Sequence, residues 1–277
     1  MCKFKTLIAI FVAYVLTVGL CVAESTEKPP YRVYIVPQLS PLQTYNAWTP
    51  ILEKLTATTG LKFELVVPAS IPDFEKDLEN GLADLAYMNP YHMTLAKHSQ
   101  GYMPLVRDSA NLLEGMLVVK KDSPIKSITE LKNQSVAFPA PNAFAASLLI
   151  RSLLSKQKIP ITPLFANTHS NVYRTVALGE VAAGGGINNT FEKEPLDIQD
   201  QLRVLYITPK YAPHPLAAHP RVSKKIREQI STTLISLANA SENKEVFKGI
   251  QMSKPVIANY AKDYQLIEKL KLEKLSK

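Results

Sequence analysis

The sequence predicts an α/β fold of two lobes, each a mostly parallel sheet flanked by helices. Two segments, 78–89 and 178–188, repeat one pattern: the end of a helix, a glycine, a short apolar run and an asparagine. A glycine can adopt the left-handed turn at a helix end, and the apolar run is typical of a buried strand. Each lobe is therefore predicted to contain one such unit, and ligands of open parallel sheets bind at the carboxyl ends of these strands.

The first lobe is predicted from an alternation of strands and helices. Alternating β-branched and aromatic residues predict a strand at 31–36, and an amphipathic helix follows at 41–59. The same periodicities predict a strand at 61–67, a helix at 71–80 and a strand at 84–88. This β-α-β-α-β order is typical of a parallel sheet with right-handed crossovers.

The second lobe is predicted to be inserted into the first. Two crossings between the lobes are predicted near Val118 and Lys210, the latter next to a proline-rich stretch that stops regular structure. The elements predicted between them are helices at 128–133, 143–156 and 168–178 and strands at 135–138, 181–187 and 202–207. The predicted first lobe therefore comprises 24–117 and 211–277, with a long helix at 223–238, and the second lobe comprises 118–210.

The N-terminal residues 1–23 have the layout of a secretory signal peptide. Two lysines precede an apolar run at 7–20, and small residues lead to Ala23, which predicts export and cleavage after Ala23. The run is shorter than the roughly 20 apolar residues that span a bilayer, so an uncleaved anchor is the less favoured alternative. Lipid modification of Cys21 is another alternative, disfavoured by Leu20 before it.

Composition excludes several kinds of site. Both cysteines, Cys2 and Cys21, lie in the leader, so the exported chain has no disulfide, thiolate or cysteine metal site. The formal net charge is +8, but the lysine-rich end lacks interleaved aromatic residues and is predicted to be a solvated helix face that binds no nucleic acid. No metal site and no cofactor are predicted. The histidines interpreted as scattered surface residues are His92, His98, His214 and His219.

The sequence contains no motif of a known catalytic site. A G-x-S-x-G elbow, an H-E-x-x-H helix and a Walker lysine loop are all missing, so no catalytic residue is assigned. The glycines at 184–186 lack the spacing of a dinucleotide-binding fingerprint and are predicted to permit close backbone approach in a strand. An enzyme is therefore the least favoured class of function.

Polar and aromatic side chains gather at the predicted strand ends. Tyr87 and Asn89 end one strand and Asn188 ends another, at the sheet edge where a ligand is expected. Trp48 and Tyr91 are predicted to wall the same cleft. The alternative for the aromatic residues is core packing, and the alternative for Asn188 is an Asx turn.

Taken together, these residues resemble those of the type II periplasmic substrate-binding proteins of ABC transporters, and among them the phosphate/phosphite/phosphonate-binding family. The resemblance covers nearly the whole exported chain. The matching segments are 33–38, 48–60, 81–91, 115–131, 136–141 and 169–181, with Trp48-Thr49-Pro50, Thr59-Gly60, His169-Ser170 and Gly179-Glu180-Val181 among them.

The resemblance implies a clamshell that closes on a small anionic, phosphate- or phosphonate-like ligand in the periplasm and delivers it to an ABC permease at the inner membrane. It implies a monomer without cofactor or nucleic-acid partner. A receptor that reports to a membrane sensor kinase is the alternative, and an enzyme on the same fold is less favoured.

The family resemblance places the anionic head group at a helix N-terminus, where free N–H groups and the helix dipole favour negative charge. The matching positions are Asn142, Ala143, Phe144 and Ala145. Relatives carry hydroxyl side chains there, so their absence predicts weak binding of inorganic phosphate. With Phe144 at the mouth, a ligand with an apolar or planar portion is favoured.

Two further positions complete the predicted site. His169 matches a histidine that donates to the head group in relatives, and its alternative is a local hydrogen bond at a helix start. Gln38, at the end of the first strand, lies at the same edge. Ala182 stands where relatives have an aspartate, which removes an expected partner for a ligand amine.

Overall fold

The computed structural model describes residues 28–276, which form two sheets flanked by helices. The predicted signal peptide, 1–23, and its cleavage after Ala23 lie outside these residues. Within the described part of the chain, no helix has both the length and the apolar character needed to cross a membrane. The predicted two-lobed α/β class is confirmed.

The elements follow the predicted order closely. The strands are β1 (Tyr31–Ile35), β2 (Phe63–Val66), β3 (Leu85–Tyr87), β4 (Met103–Asp108), β5 (Gly115–Lys120), β6 (Ser135–Phe138), β7 (Thr162–Phe165), β8 (Ala183–Ile187), β9 (Leu202–Ile207), β10 (Pro215–Ala218) and β11 (Pro255–Ile257). The α-helices are α1 (Pro41–Thr59), α2 (Ile71–Glu79), α3 (Pro90–Gln100), α4 (Leu149–Lys156), α5 (His169–Ala177), α6 (Asn188–Phe191), α7 (Leu196–Gln199), α8 (Lys224–Asn239), α9 (Lys244–Gly249) and α10 (Tyr260–Asp263).

Both sheets are mixed rather than mostly parallel. The first has the order β11-β4-β10-β3-β1-β2, and only β1 with β2 and β3 pairs in parallel. The second has the order β7-β6-β8-β5-β9, and only β6 with β7 and β8 pairs in parallel. The strands β5, β9 and β10 flank the two crossings and run against their sheet neighbours, and the edge strand β11 runs against β4.

The repeated pattern of the sequence has the predicted structure in both lobes. Gly81 and Gly179 have φ angles of 65° and 77°, the left-handed conformation in which glycine is favoured. Each is followed by a buried strand, β3 in the first lobe and β8 in the second.

The two crossings between the lobes are tied to each other. The whole of β5 pairs with β8 and β9, so the first crossing precedes Gly115, and the predicted position near Val118 falls inside a strand of the second sheet. The second crossing follows Ile207. Leu113 and Tyr211 exchange backbone hydrogen bonds of 2.9 and 3.0 Å. Paired short connections of this kind are the usual site of hinge motion between lobes.

The centre of the second sheet is buried on both faces, as the apolar run of β5 requires. Met116 and Val118 face one hydrophobic cluster, together with residues of α5, and Leu117 and Val119 face the other, together with residues of α4. Alternate residues of a strand point to opposite faces. Both faces of the sheet are therefore covered by helices that begin at the edge facing the first lobe.

The helix predicted at 143–156 begins with a π-helical turn, Phe144–Leu148, that continues into α4. This turn lies directly against glycines of the second sheet. A Cβ atom on Gly115 or Gly185 would come within 3 Å of the carbonyl oxygen of Ala145 or Ala146. The prediction that the glycine strand permits close backbone approach is therefore confirmed, and the contact fixes the start of the helix.

We expect Gly185→Ala to lower the free energy of unfolding by about 1–3 kcal/mol, because the added methyl group overpacks this contact. Urea unfolding measures the change. The matched control is Gly249→Ala, at the end of α9, where an added Cβ meets only the Cβ of Ala47 at 3.9 Å and the change should stay within about 0.5 kcal/mol. Equal effects of the two substitutions would contradict the assigned contact.

Candidate ligand-binding cleft

A small cavity lies between the two lobes, at the carboxyl ends of β1 and β8. Its volume is about 10 Å³, roughly the room for one water molecule. The lining residues are Val36, Gln38, Ile71, Asn89, Ala143, Phe144, Ala145, Ala146, His169, Ile187 and His214. Six predicted site residues therefore meet at one place. The lobes must separate, or side chains must rearrange, before a small oxyanion can enter.

The second lobe contributes the start of the π-helical turn to this cavity. Residues 143–146 line it, and the first-turn N–H groups of a helix have no partner within the helix. Ala143, at the N-cap, provides no side-chain cap. Backbone donors without a capping side chain favour an anion at this position.

His169 is the first residue of α5 and is held across the cleft. Thr168 caps the helix by accepting from the Asn171 N–H at 3.1 Å, and the His169 N–H donates to the carbonyl oxygen of Gln38 at 3.2 Å. The side chain is buried, and burial lowers the pKa of His169 to about 3. The imidazole is therefore neutral at physiological pH.

His214, predicted to be a scattered surface residue, is buried in the cavity wall, so that prediction is wrong. Its Nε2 lies 3.0 Å from Nε2 of Gln38, and its ring stacks on Tyr87 with 5.5 Å between centroids. Burial, followed by the nearby His169 and His92, lowers the pKa of His214 to about 3. This second imidazole is also neutral.

A polar junction beside the cavity joins the lobes. Asn142 Nδ2 donates to Oε2 of Glu75 at 3.0 Å, and Asn89 Nδ2 donates to the carbonyl oxygen of Asn142 at 3.0 Å. His92, also buried rather than on the surface, lies 2.8 Å from Oε1 of Glu75. Burial alone would raise the pKa of Glu75, but the hydrogen bonds from His92 and Asn142 lower it below its usual value.

The aromatic residues lie around the cavity rather than on it. Trp48 and Tyr87, with ring centroids 4.9 Å apart, line a separate cavity of about 20 Å³ that shares Val36 and Gln38 with the first. Tyr91 is buried beside Ser276 near the C-terminus, and burial raises its pKa. These three side chains therefore stand behind the cavity wall.

Asn188 holds the first crossing. Its Oδ1 accepts from the Glu114 N–H at 3.2 Å and its Nδ2 donates to the carbonyl oxygen of Leu112 at 3.0 Å. Its neighbour Ile187 lines the cavity instead. Asn188 thus connects β8 to the hinge segment.

Three polar residues of the cleft were missed in the sequence: Glu75, His92 and His214. Glu75 lies on the helix predicted at 71–80 and His92 lies on α3, and the hydrophobic periodicity of neither helix marks these residues. His214 directly precedes β10, which runs antiparallel to β3, so its position falls at the carboxyl end of β3. That pairing joins segments distant in the chain, so no local sequence pattern could have located His214. Across residues 28–276, no group of three or more histidine, cysteine or acidic side chains could hold a metal ion.

Comparison with known proteins shows which family and which structures the chain is similar to. The family model described as "ABC transporter, phosphonate, periplasmic substrate-binding protein" matches residues 33–264. No curated protein sequence matches the chain.

Solved structures share the fold. PhnD1 from Prochlorococcus marinus, in complex with methylphosphonate, has a TM-score of 0.79 at 15% identity over 87% of this chain and 96% of that one. The binding component of an ABC phosphonate transporter from Pseudomonas aeruginosa has a TM-score of 0.77 at 17% identity over 90% and 86%. XAC2383 from Xanthomonas citri bound to ATP has a TM-score of 0.64 at 14% identity over 89% and 95%.

The two buried imidazoles predict a loss of stability in mild acid. The unfolded chain takes up a proton on each near pH 6.5, whereas the folded protein, with both pKa values at about 3, does not. The contribution of these two groups to the free energy of unfolding should be fully present above pH 6.5 and should be lost as the pH drops toward 3. The slope should approach about 1.4 kcal/mol per pH unit for each imidazole. Urea unfolding at pH 8, 6 and 5 measures the slope.

The double substitution His169→Gln and His214→Gln should flatten the slope between pH 6.5 and 5. At pH 8 both imidazoles are neutral, so a difference in unfolding free energy between the wild-type protein and the double variant at that pH reports lost packing. A difference in the slope at lower pH reports the loss of the two titrating groups. The same slope in the wild-type protein and the double variant would contradict the assignment of these two groups.

Proposed function

The chain belongs to the phosphonate-binding periplasmic substrate-binding proteins of ABC transporters, and from this we propose that it captures a small phosphonate anion in the cleft between its lobes. The function of the family is binding rather than catalysis. The observation that supports the proposed site is the convergence of a helix start, residues 143–146, and the two imidazoles on one cavity.

The backbone of the helix start is proposed to bind the head group. N–H groups at a helix start donate without carrying a full charge, and the helix dipole adds to their attraction for an anion. His169 lies opposite on the first residue of α5 and supplies a side-chain donor. Gln38 and Asn89 provide amide groups from the first lobe. Together they offer neutral donors from both lobes.

The remaining lining favours a small alkyl substituent on the ligand. Val36, Ile71, Ile187 and Phe144 are apolar and buried, and Phe144 is fixed edge-on against Tyr211 with 5.2 Å between centroids. Burying an alkyl group there contributes about 25 cal/mol per Å². Inorganic phosphate presents oxygen atoms in every direction and leaves some of them against this apolar surface. Alkylphosphonates should therefore bind more tightly than phosphate.

Capture is proposed to proceed by closure about the crossings at 109–114 and 208–214. The inter-lobe bonds of His169, Asn142 and Asn89 form only when the lobes are together. The closed form is then proposed to be delivered, as a monomer, to a permease at the inner membrane. Export by a signal peptide cleaved after Ala23 is part of the same proposal.

Calorimetric titration with methylphosphonate and with inorganic phosphate tests the ligand class. We expect methylphosphonate to bind more tightly than phosphate. His169→Gln should weaken methylphosphonate binding roughly 10- to 150-fold, because a hydrogen bond to a charged group contributes about 1.5–3 kcal/mol. The matched control is His98→Gln, on the exposed side of α3, which should leave the affinity unchanged. Tighter binding of phosphate, or no effect of His169→Gln, would overturn the proposed preference or role.

Small-angle scattering tests closure separately. The free protein samples the separated lobes, so saturation with methylphosphonate should lower the radius of gyration. A radius that stays the same while calorimetry shows saturation would contradict hinge closure and leave the ligand assignment intact.

A further inference from the structure

Lys193 forms a contact between the lobes that the proposed ligand site does not use. It follows α6 in the second lobe, and its Nζ donates at 2.6 Å to the carbonyl oxygen of Gly249, at the end of α9 in the first lobe. The side chain is half-buried there. Because this bond joins the lobes, it breaks when they separate. Closure therefore moves the ammonium group of Lys193 from water into the interface.

The partner of this ammonium group is a weak one for a full charge. Carbonyl groups at a helix end attract a cation, but α9 has only six residues and a carbonyl group has no net charge. Among residues 28–276, no acidic side chain forms an ion pair with Lys193. The adjacent Glu194 accepts from Ser170 Oγ instead, and Glu192 is exposed. The charge thus enters the interface without a counter-ion.

The surroundings of Lys193 disfavour its charge. On α9, Lys248 repels it, and the other charged residues of that helix, Lys244 and Glu245, are exposed at its start. Burial is the larger effect, and with Lys248 it lowers the pKa of Lys193 from 10.5 to about 8. The direction indicates that the lost hydration outweighs the bond to Gly249. At pH 7 the group is still mostly protonated, so closure has to overcome this loss.

Resting on the proposed function, we propose that Lys193 opposes closure of the lobes and thereby limits how tightly every ligand is held. In the open protein the ammonium group is hydrated. In the closed protein one neutral acceptor replaces that water, and a charge buried without a counter-ion is unfavourable. The empty protein therefore stays open, and a bound ligand can be released. Lys193 lines neither cavity, so it acts on closure and not on the ligand.

The inference has a pH dependence of definite sign. Lys193 should have its ordinary pKa of 10.5 in the open protein and a pKa of about 8 in the closed protein. Below pH 8 the group is protonated in both forms, and the affinity does not depend on its titration. Between pH 8 and 10.5 closure releases a proton. The affinity should therefore rise with pH in this range, by up to about tenfold per unit.

Calorimetry of the full chain at pH 7.5 with methylphosphonate and with inorganic phosphate tests the role of the charge. Lys193→Met removes the charge and keeps most of the side-chain length. It should bind both ligands about 3- to 30-fold more tightly, and by the same factor, because Lys193 does not touch them. Lys193→Arg keeps a cation and should bind like the wild-type protein. The matched control is Lys244→Met, which should also bind like the wild-type protein.

Titration with methylphosphonate at pH 8.5 and 9.5 tests the sign. The wild-type affinity should rise about five- to tenfold between the two values, as the proton leaves on closure. Lys193→Arg cannot lose its charge in this range, and Lys193→Met has none, so neither variant should show this rise. Ionisation of the ligand or of other groups affects all three proteins alike, and the two variants measure that contribution.

Unchanged or weaker binding by Lys193→Met would overturn the inference and leave the proposed function standing. An equal rise with pH in Lys193→Arg would also overturn it. If the wild-type protein binds no phosphonate, the proposed function itself is contradicted, and small-angle scattering of the free proteins then decides the inference. Lys193→Met should have the smaller radius of gyration, because its lobes close more often, and equal radii would overturn the assigned role.

Discussion

The contact between the glycine-bearing strands of the second sheet and the helical turn Phe144–Leu148 determines the geometry of the cleft. The carbonyl oxygens of Ala145 and Ala146 occupy the space that Cβ atoms would fill on Gly115 and Gly185. Because backbone lies against backbone there, no side-chain rotation can change the spacing. The helix start is therefore held rigidly at the sheet edge, where its N–H groups line the cavity.

The two lobes meet across this edge through polar atoms and through an apolar cluster that includes Phe144, Leu148 and Ile187 of the second lobe. Asn142 binds Glu75 and Asn89, and the His169 N–H binds the Gln38 carbonyl oxygen. Each of these groups can hydrogen-bond to water when the lobes separate, so the net contribution of a bond between neutral groups is only about 0.5–1.5 kcal/mol. The polar part of the junction therefore adds little resistance to opening, and the apolar contacts of the Phe144–Leu148 turn with the first lobe make up the rest of the interface.

Local pattern predicted most of the fold and part of the cleft. The helix-glycine-strand units were found because their signals lie within about a dozen residues, and Gly81 and Gly179 have the expected left-handed backbone. A strand end is also a local signal, which is why Asn89 was predicted to lie at the site, whereas Ala143 and His169 were predicted from the family resemblance. Helices and strands can be located in a sequence when each has its own hydrophobic periodicity.

The parts of the site that could not be predicted depend on contacts between residues that are distant in the chain. Glu75 reaches Asn142 across 67 positions of the chain, and no periodicity links them. His214 lies at the cavity because β10 pairs antiparallel with β3. The sequence also does not show which side of a wall an aromatic residue faces, and Trp48 in α1 and Tyr87 at the end of β3 face a neighbouring cavity. For the same reason the boundary of the second lobe was placed inside β5, whose apolar run did not show which sheet it joins.

The small cleft has two neutral imidazoles, His169 and His214, in its wall where a fixed cation could also have bound an anion. Ala143, Ala145 and Ala146 have no side-chain donors, so under the proposed function the side-chain donors come from across the cavity. A lysine or arginine there would leave a buried charge unpaired whenever the lobes met without an anion, at a cost of several kcal/mol. His169 and His214 can be buried neutral in the closed lobes, and under the proposed function they still offer N–H donors to an oxyanion. Above pH 6.5 such a site closes without burying an unpaired charge in the cavity wall.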